Sequence, residues 1–244
     1  MFKSVSDVAA KIIVALDVPT LEDAVATVRR LPQVQFWKVG LQLFCASGPA
    51  IVDVLKREEK RIFLDLKLHD IPNTVAAAVR AIVPFGVDFL TIHTATGSAG
   101  LKAAQEALAD SPTQLLGVTL LTSIDTATLQ GELQCFHQNL PTYVNSMACL
   151  AHEAGLGGVI CSAQEAAKIK SQFGEDFLRV CPGIRPAGSE TQDQARSFTP
   201  VAAFDVGASY LVVGRPILNA PDPAQAFDNL CQSCLVPLIW GESP

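Results

Sequence analysis

Short apolar, β-branched runs recur along the chain, at residues 11–17, 35–39, 61–65, 87–93, 114–120, 157–161, 177–181 and 209–213. Runs of this length with little polar alternation predict strands buried on both faces. Between most of them, apolar positions fall three and four apart, at 20–31, 49–59, 72–84, 97–110, 143–154, 163–173 and 221–235, which predicts helices with one face packed inward. Thr20, followed by Glu22 and Asp23, can cap the first of these, and Pro72 stands where a missing N–H costs little. Eight strands alternating with helices, most of them roughly 20–30 residues apart, predict an α/β chain closed into a (β/α)8 TIM barrel. An open doubly wound sheet shares the alternation. The count of eight, and the absence of a G-x-G-x-x-G after the first strand, favour the barrel.

Two intervals break the rhythm, 122–141 after the fifth strand and 183–200 after the seventh. Both follow strands, on the face where such barrels carry their active sites, so they are candidate substrate-covering loops. No low-complexity linker or charge run divides residues 1–244, which are read as a single catalytic domain.

Composition narrows the function classes. With 49% apolar and 17% charged residues, 244 residues can bury a sizeable core. A net charge of −6 offers no footprint for nucleic acid or an anionic membrane, so any phosphate must be held by a local site. The N-terminus does not resemble a signal peptide, and no apolar run is long enough to span a bilayer. Seven scattered cysteines, an odd number in a chain too large to need staples, favour a reducing cytoplasm. Cys231 and Cys234 form a C-x-x-C without a second pair or a nearby histidine, which reads as helix packing rather than a zinc or redox site.

Candidate chemistry lies at the ends of the first three strands. In an extended strand Asp65 and Lys67, two residues apart, point to the same face, and Asp70 follows in the loop Leu68-His69-Asp70-Ile71-Pro72-Asn73-Thr74. Alone, this D-x-K-x-x-D string could be solvated loop charge. Asp17 ends the first strand and Lys38 lies inside the second, however, and a lysine within an apolar strand is costly to bury unless paired. A paired Lys38–Asp65–Lys67–Asp70 array follows. It could destabilise a substrate carboxylate and deliver a proton, and it could equally bind Mg²⁺ through Asp65 and Asp70.

At the far end of the chain, Pro182-Gly183-Ile184-Arg185-Pro186 follows the seventh strand and Gly214-Arg215-Pro216 the eighth. These are the loops that most often hold phosphate in such barrels, with Gly214 admitting an anion, a short helix starting near Pro216, and Arg185 and Arg215 as forked donors.

Taken in order, Ile13-Val14-Ala15-Leu16-Asp17, Lys38-Val39-Gly40, Asp65-Leu66-Lys67-Leu68-His69-Asp70-Ile71-Pro72-Asn73-Thr74, Leu121-Thr122-Ser123, Pro182-Gly183-Ile184-Arg185-Pro186 and Val213-Gly214-Arg215-Pro216 closely resemble the bacterial orotidine 5′-phosphate decarboxylase family, over essentially the whole chain. The resemblance implies decarboxylation of orotidine 5′-phosphate to UMP in de novo pyrimidine synthesis, with no metal or organic cofactor. It implies Lys67 as proton donor to C6, Asp65 beside the departing carboxylate, and Asp17 and Lys38 at the ribose hydroxyls, Lys38 also ordering Asp65. Asp70 and Thr74 would come from the partner subunit of a homodimer, and Thr122 would line the substrate site. Arg185, Gln194, Gly214 and Arg215 would hold the phosphate and close the loop over the base. Cys181 stands where a threonine is expected, and 126–138 matches no expected segment. His69 and His93 lie near the rim and read as packing residues. Two rivals are a Mg²⁺-dependent sugar-phosphate decarboxylase or aldolase on the same barrel, and a non-catalytic UMP-binding barrel. The latter would need a broken member of the charged set, and none is missing.

Overall fold

The structure, a computed structural model, describes residues 2–135, 139–186 and 198–235. Eight parallel strands close in sequence order: β1 Ile12–Ala15, β2 Phe36–Gly40, β3 Arg61–Leu68, β4 Phe89–His93, β5 Gln114–Val118, β6 Gly158–Ile160, β7 Leu178–Cys181 and β8 Tyr210–Val213. Closure is direct, because β1 pairs with β8 through Ile12 with Leu211 and Val14 with Val213. That pairing excludes the open sheet and bears out the (β/α)8 barrel.

Strand alternation builds two separate cores. Ile13, Ala15, Phe36, Phe63, Phe89, Leu116, Val180, Tyr210 and Val212 fill the barrel interior. Their chain neighbours, among them Ile12, Val14, Trp37, Val39, Ile62, Leu64, Leu90 and Val213, pack outward against the helices. Residues of an inner layer that continue toward the C-terminal ends of the strands must therefore arrive at the mouth of the barrel. Asp17, Lys38, Asp65, Thr91 and His93 all lie on that inner parity.

Caps fix the helix starts. Thr20 Oγ1 accepts from Asp23 N at 3.1 Å, and Pro72 opens the helix Pro72–Ile82, both as the sequence predicts. Within the interval 122–141, two described stretches are helical rather than loop. Asp125 accepts from Thr128 N at 2.8 Å and starts a helix at Thr126–Gly131, which buries Leu129 completely. Asn139 accepts from Thr142 N at 2.9 Å and starts the next helix at Leu140, three residues before the predicted onset. Further unpredicted helices, at Val5–Ala9, Leu41–Ser47 and Pro200–Asp205, are each a turn or two long, too short to show a period. The short helix expected near Pro216 spans Arg215–Leu218. Among the described residues no helix is long and apolar enough to cross a membrane.

Candidate active site

Lys38 points inward because Trp37 and Val39 on either side face the helices. Its ammonium lies 3.1 Å from Asp17 Oδ1 and 3.8 Å from Asp65 Oδ2, and Lys67 Nζ lies 2.8 Å from the same Asp65 oxygen. Three strand ends thus deliver two cations and two carboxylates to one place. Exposure grades across the group: the side chains of Lys38 and Asp65 are each 12% exposed, Lys67 31% and Asp17 59%. The Asp65 end is a largely dry, charge-balanced site, and the Asp17 end meets solvent. Gly40 lies close under the pair, since a Cβ there would stand 2.9 Å from Lys38 Nζ and 3.5 Å from Asp17 Oδ1.

Lys67 meets Asp65, as their two-residue spacing predicts, but not through a regular strand. β3 continues to Leu68, but its register against β4 shifts between Leu64 and Leu68, and Lys67 takes a left-handed φ of 50°. A non-glycine residue there costs on the order of 1–3 kcal/mol and needs outside support. Thr91 of β4 supplies it: Lys67 N donates to Thr91 Oγ1 at 2.8 Å, and that hydroxyl donates to Asp65 Oδ1 at 2.9 Å. Lys67 reaches Asp65 because a buried threonine supports a bulge, rather than through regular alternation alone.

Asp70 does not join the array within one chain. It lies in an exposed loop, where its Oδ1 accepts from Ile71 N at 2.7 Å and its carbonyl accepts from Thr96 Oγ1 at 2.6 Å. Thr74 is exposed on the first turn of the helix that follows, and Ile71 between them is 67% exposed. The rings of His69 and His93 stack 5.1 Å apart beside this loop. His93 Nδ1 accepts from Ala95 N at 3.3 Å, and burial, followed by His69 and Lys67, lowers its pKa from the ordinary imidazole value.

Across the mouth, Gly214 follows β8 and precedes the helix Arg215–Leu218. It lies against β1, since a Cβ on it would meet Ala15 Cβ at 3.2 Å and Asp17 Oδ2 at 3.6 Å. Arg215 is exposed at the start of that helix. Arg185 follows β7, with its backbone N donating to Phe198 O at 2.9 Å and Nη1 to Ile184 O at 3.0 Å. Thr122 follows β5, half-buried beside Thr119, Val144, Ser162 and Glu165. Gln194 lies outside the described residues.

Residues 10–230 match the profile of the orotidine 5′-phosphate decarboxylase / HUMPS family. The chain belongs to that family. It is 71% identical over 233 residues to the orotidine 5′-phosphate decarboxylase of Thermosynechococcus vestitus, covering 96% of this chain and 99% of the relative. The enzyme of the same name from Gloeothece citriformis is 51% identical over 224 residues, 91% of this chain and 96% of its own. Among solved structures, the crystal structure of orotidine 5′-phosphate decarboxylase from Lactobacillus acidophilus is similar with a TM-score of 0.81 at 38% identity, over 92% of this chain and 99% of that one.

In this family member, Thr91 and Gly40 also adjoin the charged group, although the sequence by itself assigns no role to either. Thr91 had a visible signal, as a polar residue at an inward position of an apolar strand, but its two partners are set by the β3 bulge. The cysteines stay out of the site. Cys181 is fully buried and faces the helices, and its thiol, followed by burial, pushes the Cys161 thiol up. Burial, followed by Cys234 and Asp228, pushes the Cys231 thiol up to about 12. All seven thiols are free of disulfides.

Proposed function

We propose that the chain decarboxylates orotidine 5′-phosphate to UMP and carbon dioxide, with Lys67 protonating C6. The observation that carries this reading is the salt-bridged group Lys38–Asp65–Lys67, two ammoniums converging on one oxygen of a nearly buried carboxylate. Asp65 lies beside the substrate carboxylate and raises its free energy by like-charge repulsion, relieved as carbon dioxide departs. The C6–carboxylate bond breaks with its electron pair left on C6. The Lys67 ammonium stabilises that carbanion, then gives it a proton, and solvent reprotonates the amine.

Binding energy for this comes from the rest of the mouth. Asp17 and Lys38 take the ribose hydroxyls, and Arg185, Gln194, Gly214 and Arg215 the phosphate, while Thr122 lines the base. We assign Asp70 and Thr74 to the active site of a second subunit in a homodimer. Their exposure together with that of Ile71 supports a contact surface there. Mixing inactive Asp70→Asn and Lys67→Ala proteins should restore activity if sites are shared. No recovery on confirmed mixed dimers would sink that assignment. The free thiols support a cytoplasmic enzyme.

Following the loss of orotidine 5′-phosphate absorbance tests the reaction itself, and near-wild-type kcat in Lys67→Ala would remove Lys67 from its role. A Mg²⁺-dependent sugar-phosphate reaction, the alternative within this family, is disfavoured by Asp65: Thr91 occupies one of its oxygens and the two lysines the other. Among the described residues no group of three or more His, Cys, Asp or Glu side chains could hold a metal ion. Turnover of orotidine 5′-phosphate that survives EDTA separates the two.

A further inference from the structure

β4 carries two polar side chains on its inward parity, Thr91 and His93, and the chemistry above uses neither. Thr91 is completely buried. A hydroxyl has one proton, and here it goes to Asp65 Oδ1, so only its lone pairs are left for the Lys67 N–H. One side chain therefore acts on both members of the Asp65–Lys67 pair. Through the first bond it orients the carboxylate so that Oδ2 faces Lys67 and Lys38. Through the second it satisfies the amide of a lysine held at a φ of 50°.

We propose that Thr91 is a positioning residue for the decarboxylation, holding the Lys67 ammonium and the Asp65 carboxylate in the geometry that the reaction needs; this rests on the function assigned above. Removing the hydroxyl leaves the Lys67 amide without its partner in a bulge that already stores strain, and frees Asp65 to rotate. The backbone of Lys67 then drifts toward ordinary extended geometry and carries its ammonium away from the reacting carbon. Proton delivery is sensitive to displacements of about 1 Å, whereas phosphate and ribose binding depend on contacts from β1, β2, β7 and β8. Thr91 should consequently act on kcat and leave the hold on the nucleotide intact.

The test compares wild type, Thr91→Val and Thr91→Ser of the full chain by kcat and KM on orotidine 5′-phosphate, UMP affinity and circular dichroism melting. Valine keeps the shape and loses the hydroxyl, and serine keeps the hydroxyl. The expected result is a kcat loss of about ten- to a hundredfold in Thr91→Val with UMP affinity within about twofold, and recovery of most of that loss in Thr91→Ser. Should Thr91→Val fail to fold, Thr91→Ala against Thr91→Ser carries the same contrast. Unchanged kcat in Thr91→Val overturns the role of Thr91, and so does a loss of UMP affinity as large as the loss of kcat, or a serine variant as impaired as valine. A wild-type chain that does not turn over orotidine 5′-phosphate overturns the functional reading as well, which separates that failure from one confined to Thr91.

Discussion

The two ends of the barrel both gather cations and carboxylates among inward-facing side chains. At the floor, Arg61 opens β3 with its guanidinium 4.0 Å from the Phe36 ring centroid and its Nε 2.9 Å from Asp88 Oδ1. The second Asp88 oxygen accepts from Ile62 N at 2.8 Å, and Lys11 lies 4.4 Å from the Tyr210 ring centroid. Burial works to lower the Arg61 pKa, but Asp88 and Tyr210 outweigh it and the pKa ends up raised. Each floor cation has an aromatic face, and Arg61 has a carboxylate of its own. At the mouth, the same kinds of group are arranged differently. Lys38 and Lys67 share one oxygen of Asp65, a left-handed residue holds one of them, and the graded exposure toward Asp17 leaves a way in. The floor gives its cations separate partners, whereas the mouth makes two lysines share one carboxylate oxygen beside a strained backbone, the arrangement that the proposed chemistry uses.

The contrast is broken most sharply by Lys67→Ala. Its expected effect is a kcat loss of at least about a thousandfold with a stability change of no more than about 1 kcal/mol, because Asp65 keeps Lys38 and Thr91 as partners and alanine leaves the left-handed backbone as it was. Activity assays paired with urea unfolding check this, and a destabilised but active variant would show that Lys67 serves stability instead. The converse change at the floor, Asp88→Ala, strands Arg61 and the Ile62 amide. It should lower stability by about 1–3 kcal/mol while kcat on the residual folded enzyme stays at the wild-type value. A smaller effect is expected of Gly40→Ala, whose Cβ would push on Lys38 Nζ. We expect kcat/KM to fall by about tenfold with little change in melting temperature.

The smallest effect concerns pH. The His93 pKa is lowered from 6.5 by burial, with His69 and Lys67 adding to it, so the folded chain takes up that proton less readily than the unfolded chain. The corresponding stability is present above about pH 6.5 and declines as pH falls toward the folded-state value. His93→Asn keeps an acceptor for Ala95 N but cannot titrate, so its melting temperature should fall less between about pH 7 and pH 5 than that of wild type. Equal slopes for the two proteins would place the acid sensitivity elsewhere.

How much of this could be read beforehand differs by element. Buried strands of four or more residues repeat too regularly to mistake, and the long helices carry caps such as Thr20 and first-turn prolines such as Pro72. Helices of a turn or two, like Thr126–Gly131 with its Asp125 cap, fall below the length at which a period can be seen. Within the site, Asp17, Lys38, Asp65 and Lys67 announced themselves as charges at the ends of apolar strands. Asp70 looked like their neighbour because it is close along the chain, yet the turn after β3 carries it out to an exposed loop. Thr91 is distant in sequence from both groups it serves, and Arg61 could not be told from a surface arginine until the strand register turned it into the barrel.

By itself the sequence determined which residues are strands, which parity faces inward, and that opposite charges end the first three strands, because alternation and the cost of burying a lone cation are local properties of the chain. Only the tertiary structure decided that the sheet closes from β1 to β8, that the register of β3 slips against β4, and that Thr91 thereby ties Lys67 to Asp65. Those depend on which strands become neighbours and in what register, and a hydrogen bond between residues 24 or 26 positions apart exists only once that pairing is made.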